Sequence, residues 1–281
     1  MPIHDLSYRH WSGEWTSHPY RWWVITRQGI GLLARKKSFL FLMILAALPF
    51  VVRSVILYFS IILGSSLPPQ FRPDAQFFAN FLSQQRFFTI IISIFAGAGL
   101  IANDLRANAL QIYLSKPITR RDYLIGKLGV MVFFLGLVTL VPGVLLFLLA
   151  VIFEGNMTFL EQNYWVLGSV TAYSLAIIFS NALIILAFSS LTRSSRFAGI
   201  NFAAVFFFTE ILYGILSGIF RTTRVAWISL GTNIRLMGDF LFGMTPREQS
   251  PTWLSALIIL GLIVVSTWTI HRRVQAVEVV K

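Results

Sequence analysis

The sequence predicts an all-α polytopic membrane protein. Two observations carry that reading. Six long apolar runs cross the chain, and basic residues gather on alternate sides of them. The runs are Ser38–Leu63, Phe87–Asn103, Leu128–Phe153, Tyr164–Leu191, Ala198–Phe220 and Trp253–Ile270. A helix needs about 20 mostly apolar residues to cross the hydrocarbon core, and the second and sixth runs fall a little short of that. Only closed backbone hydrogen bonding survives in lipid, and the runs are continuous rather than alternating, so helices are expected and a barrel is not.

Lys and Arg number sixteen in the alternate segments holding both termini and six in the opposite set, with Arg53 inside the first run. Basic residues near helix ends are retained in the cytoplasm, so both termini are expected there, in a multi-pass protein of the cell membrane. The chain of 281 residues is 56% hydrophobic and 12% charged, about half the charge of a soluble domain. One membrane domain over 20–281 follows, behind a polar tail at 1–19. The net charge of +12 is spread as a topology signal and as attraction to anionic lipid headgroups, not as a nucleic-acid surface. No signal-peptide core stands in the first 20 residues, so the first span is expected to be retained.

Each further element follows from its residues. The tail holds His4, His10, His18, Asp5 and Glu14, whose spacing fits no metal-ligand motif; it reads as solvated. Residues 20–37 read as an interfacial helix. Trp22, Ile25, Gly29, Leu32 and Leu33 recur near helical spacing, while Arg27, Arg35, Lys36 and Lys37 would be expensive in hydrocarbon. In the segment 104–127, Leu105, Ala109, Ile112 and Tyr113 suit a short amphipathic helix on the cytosolic face. Pro117 disfavours helix at Lys116 and stops it. Thr119 with Asp122 three residues on is placed to cap the next helix. The loop 221–252 is too apolar and too long for a slack linker. One or two short helices in the outer leaflet are expected there before the last span.

Charge within a span is rare and so informative. Arg53 and Glu210 lie about 21 Å and about 18 Å above the cytosolic boundary at ~1.5 Å per residue, so they could pair. Such a pair would be a gate or polar wall of a cavity, or simply a structural staple; alternatively, Arg53 snorkels outward. Asn181 with Thr171 and Ser174, and Asn201 and Tyr213 with Thr209 and Ser217, could line a path or glue helices. No histidine lies within a run, and HExxH, GxSxG and a P-loop are missing. At Gly126-Lys127 the first P-loop glycine is replaced by Arg121 and the Ser/Thr by Leu128. The chain is therefore expected to carry no nucleotide site and no cofactor of its own.

The stretch GAGLIANDLRANALQIYLSKPITRRDYLIGK at 97–127 resembles the signature of type-2 ABC transporter permeases, through Asp104, Leu114-Ser115-Lys116-Pro117, Arg120, Tyr123 and Lys127. Asn108 stands near a place where that family often has glycine. The layout is also similar: an elbow helix, six spans, outer helices and a short basic tail. The resemblance implies that the 104–122 loop is a coupling helix docking on a separate cytosolic ABC ATPase, itself a dimer holding ATP and Mg. It places Asp104, Arg106, Ser115, Lys116, Pro117 and Arg120 at that contact. It also implies a second permease chain, identical to the first, with the path between the two. The expected function is the permease of an ATP-driven exporter of a hydrophobic or amphipathic substrate. A mechanical device acting on an envelope partner, and more remotely an integral membrane enzyme, are the alternatives.

Overall fold

A computed structural model describes residues 20–63, 73–109, 118–155 and 158–274. Among them the chain is helical, with no strand. The helices are α1 Arg21–Ala34, α2 Lys37–Leu63, α3 Ala75–Ile92, α4 Ala102–Arg106, α5 Arg120–Val138, α6 Leu140–Glu154, α7 Thr158–Leu191, α8 Ser195–Phe220, α9 Leu230–Leu241 and α10 Thr252–Arg273. Six stretches are long and apolar enough to span a bilayer: span 1 in α2, span 2 from α3 to α4, span 3 from α5 to α6, then α7, α8 and α10 as spans 4 to 6. The protein is thus an all-α, multi-pass membrane protein. Because the crossings are six, the start of span 1 and the end of span 6 share one end of the bundle. Lys36, Lys37, Arg120, Arg121, Arg193, Arg272 and Arg273 also lie at this end, which we call the basic face.

Spans 2 and 3 begin earlier than the apolar runs suggest. Span 2 starts at Ala75 rather than Phe87, capped by Asp74, whose carboxylate accepts from the Phe77 amide at 2.8 Å. Gln84, Gln85 and Arg86 therefore lie inside it. Their polarity is matched at long range: Gln85 donates to the Ala46 carbonyl at 3.1 Å, and Arg86 to the Gly231 carbonyl at 2.6 Å. Span 3 starts at Arg120 rather than Leu128. Thr119 accepts from the Asp122 amide at 3.1 Å, and Asp122 accepts from the Thr119 amide at 3.0 Å, so the expected cap is a reciprocal capping box. Span 3 steps at Thr139 because Pro142 cannot donate to, and clashes with, the carbonyl of Val138.

The helix expected over 20–37 is α1, separated from α2 at Arg35 and Lys36. It lies across the start of span 3 at small residues. Thr26 donates to the Gly126 carbonyl at 3.0 Å, and a Cβ on Gly126 would stand 2.9 Å from the Trp22 carbonyl oxygen. Close backbone approach at glycine is a usual way for membrane helices to associate.

Span 2 is interrupted by a π-helical turn at Ser93–Gly97 and a further turn before α4. Such a break frees backbone groups that lipid cannot satisfy. Ser189, buried in span 4, closes it. Its hydroxyl accepts from the amides of Ile101 and Ala102 at 3.0 and 2.9 Å and donates to the Ala98 carbonyl at 2.8 Å. Span 4 is the most buried span; spans 1 and 5 are the least.

Ser189→Ala strands two amides and a carbonyl, at about 1–3 kcal/mol for each buried group left unpaired. The expected outcome is a clearly lowered thermal midpoint for the purified protein in detergent, whereas Ser217→Ala, at the periphery of span 5, leaves it unchanged.

Candidate functional site

The segment singled out at 104–127 is anchored on both flanks by one cluster. Asp104 ends span 2, and Tyr123 and Lys127 lie one and two turns into span 3. The Asp104 carboxylate accepts from the Tyr123 hydroxyl at 2.7 Å and pairs with the Lys127 ammonium at 2.7 Å. Tyr123 is fully buried and Lys127 nearly so, with its ammonium 5.3 Å from the Tyr123 ring centre. A lysine this buried is tolerable only because it is paired. The pair therefore fixes the spacing between the end of span 2 and the start of span 3.

Between these flanks the chain turns at Asn108, whose φ of 50° lies in the left-handed region. That conformation favours glycine and is tolerated by asparagine, which accounts for the residue type found near this position. Arg106 and Arg120 are exposed on either side, as is Arg121. Ser115, Lys116 and Pro117, with the amphipathic stretch before them, lie outside the described residues. A cleft of about 540 Å3 opens beside the cluster, bordered by Gly29 and Leu33 of α1, Asn103, Asp104, Lys127 and Arg196.

The other candidate residues lie at separate places on spans 1, 4 and 5. Arg53 and Glu210 are not paired. Arg53 donates to the Gln84 side-chain carbonyl at 3.3 and 3.4 Å and lies over the Phe77 ring, because span 1 packs on span 2. Glu210 accepts a hydrogen bond from the Ser229 hydroxyl. Asn181 is buried between spans 2 and 4, donating to Thr89 at 3.3 Å and to the Ile177 carbonyl at 3.0 Å. It thus bonds across these two spans. Asn201 is exposed on span 5, and Tyr213 half-buried on the same helix.

The structure adds a second constellation. The long loop after span 5 holds a 3₁₀ turn at Thr223–Ile228 and then α9, so the loop carries the short helical segments expected of it. The start of α9 dips between spans 2 and 5. Ser229 caps it, accepting from the Thr232 amide at 2.9 Å, while Arg86 holds the Gly231 carbonyl. Arg86 lies about 16 Å into span 2 and Glu210 about 15 Å from the end of span 5, so this cap sits well below the helix ends. A Cβ on Gly231 would stand 3.0 Å from the Glu210 carboxylate and 3.1 Å from the Arg86 guanidinium, so any larger residue would push these side chains back by a few tenths of an ångström. Nearer the loop's exit, Arg235 pairs with Glu248, and burial pushes the Asp239 carboxyl up from its ordinary range, against the pull of Arg235 and Arg247. Gly238 presses on the Tyr173 ring.

Sequence reasoning missed Arg86, because a polar Ser83–Arg86 run reads as loop. The signal was present: Asp74 as a cap, then Phe77, Phe78, Phe81, Leu82, Gln85, Thr89 and Ile92 at helical spacing, all buried.

Comparison with curated proteins finds no match. A family model described as "ABC-2 family transporter protein" matches residues 33–269, from the end of α1 almost to the end of span 6. The match takes in both the clamp at Asp104 and the dipping start of α9. The chain therefore belongs to the ABC-2 transporter family, as a multi-pass membrane subunit of an ABC transporter.

Proposed function

We propose that this chain is the permease of an ATP-driven exporter, moving a hydrophobic or amphipathic substrate by alternating access. A separate cytosolic ATPase dimer, holding ATP and Mg, docks on the 104–122 segment. The chain itself catalyses nothing. The observation that carries this reading is the Asp104–Lys127–Tyr123 clamp. A loop that transmits force needs both flanks fastened to the helices it moves, and this cluster fastens them together. Arg106 and Arg120 stand exposed beside it, as docking charges would. The basic face is cytosolic in this reading, which the excess of Lys and Arg supports, and α1 lies along the membrane surface there.

Two identical permease chains make the working unit. Spans 1 and 5 leave their apolar faces least covered within one chain, and they supply the contact between the two. The α9 cap between Arg86 and Glu210 is the seal on the far side. ATP binding shifts the pair between inward- and outward-open states only to the extent that the ATPase binds the two states differently.

Three outcomes follow. Arg120→Glu reverses an exposed charge and is expected to leave the isolated permease folded while sharply reducing copurification of the ATPase; unchanged copurification and transport would remove Arg120 from the contact. Asp104→Asn breaks the buried Asp104–Lys127 ion pair, an effect on the order of 3–5 kcal/mol, and is expected to lower the thermal midpoint and abolish coupled transport. Asp104→Asn with Lys127→Met removes both charges and is expected to recover much of the stability but not the coupling, measured as substrate-stimulated ATPase activity in liposomes. ATPase turnover without any moved solute would instead favour a mechanical device.

A further inference from the structure

Arg53 belongs to neither constellation. Two of its N–H groups reach one neutral oxygen, that of Gln84, at 3.3 and 3.4 Å, and its guanidinium lies 5.0 Å from the Phe77 ring centre. Among the described residues no carboxylate lies within ion-pair distance of it. Arginine offers five N–H donors in a planar fork that matches phosphate or carboxylate. Arg53 lines an open groove of about 530 Å3 between spans 1 and 2.

The groove is polar at one end and apolar along the rest. Asn80, Gln84 and Arg53 form the polar end; Leu48, Val52, Ile56 and Phe88 form walls, and Leu45 lies at the far end. Along span 2, Phe77, Asn80, Gln84 and Phe88 lie about 3, 8, 14 and 20 Å from its start. The guanidinium, held between Phe77 and Gln84, is therefore close to the end of the helix opposite the basic face. Span 2 is 32 residues long, about 48 Å against a hydrocarbon core of about 30 Å. Span 2 is thus long enough for its Ala75 end to reach the headgroup layer, and the Arg53 head lies towards that end on a stem rising from deeper in span 1. An acid-binding fork towards the headgroup end of an apolar groove has the polarity of a lipid of that leaflet.

We propose that this groove binds an anionic amphiphile drawn from the leaflet opposite the basic face, with its phosphate or carboxylate on Arg53 and its chain running past Val52 and Phe88 towards Leu45. The site needs no motor, and it requires only that a second chain leave this groove of span 1 open.

The chain has no cysteine, so Leu45→Cys introduces a single thiol at the far end of the groove for a bimane label. The labelled full-length protein, in neutral detergent, is titrated with dodecyl phosphate and with dodecylphosphocholine, which share one chain. Dodecyl phosphate is expected to bind about tenfold more tightly, the worth of a charge-assisted bond. Arg53→Gln is expected to reduce that preference to about twofold or less, Arg53→Lys to keep it, and Arg272→Gln, at the basic face, to leave it untouched. Arg53→Met serves as a second neutral variant, and the parent protein's own selectivity decides where neither neutral variant folds. Equal binding of the two amphiphiles, a preference that survives Arg53→Gln, or no response to either, as when a second chain covers the groove, would overturn the proposal.

Discussion

In a bilayer every backbone N–H and C=O released by a break in a helix must find a partner inside the protein. Among the described residues, side chains take up such groups at several places. Ser189 of span 4 takes up three backbone groups at the interruption of span 2. Ser229 and Arg86 serve the first turn of α9, below the helix ends. Thr26 reaches the Gly126 carbonyl where α1 crosses span 3. These fasteners permit bends and dipping segments that a bundle of straight helices would lack, and both functional constellations are built on them.

Span 2 joins the two constellations. It carries Asp104 at the basic face and Arg86 towards the other, with the π-helical turn between them packed against Ser189. π-helical turns are common at functional sites because they change the phase of a helix locally. The Asp104–Lys127 clamp and the Arg86 contact to the α9 cap are therefore carried by the same span. The clamp is charge-assisted.

How much of this could be read in the residues depended on the range of the interaction. The six spans, the separate helix at 21–34, the short helices of the 221–252 loop and the Thr119–Asp122 cap are local consequences of apolar runs and capping patterns, and the structure contains them. Spans 2 and 3 begin earlier than the apolar runs because Gln84, Gln85, Arg86, Tyr123 and Lys127 are polar yet satisfied by residues far along the chain. The supposed Arg53–Glu210 pair rested on equal depth, but depth says nothing about which neighbours a helix faces. Span 1 presents Arg53 to Gln84 on span 2, and span 5 presents Glu210 to Ser229. Asn108 was legible as a departure from the usual glycine, and its left-handed turn shows why the departure is permitted.

The central claim is that the segment bridging Asp104 and Lys127 faces the compartment where a nucleotide-driven motor works. Because the chain lacks cysteine, Ser115→Cys gives one reactive position in that segment. The account predicts no labelling by a membrane-impermeant thiol reagent on intact cells, labelling after permeabilisation, and protection when the ATPase is bound. Labelling from outside intact cells would contradict it.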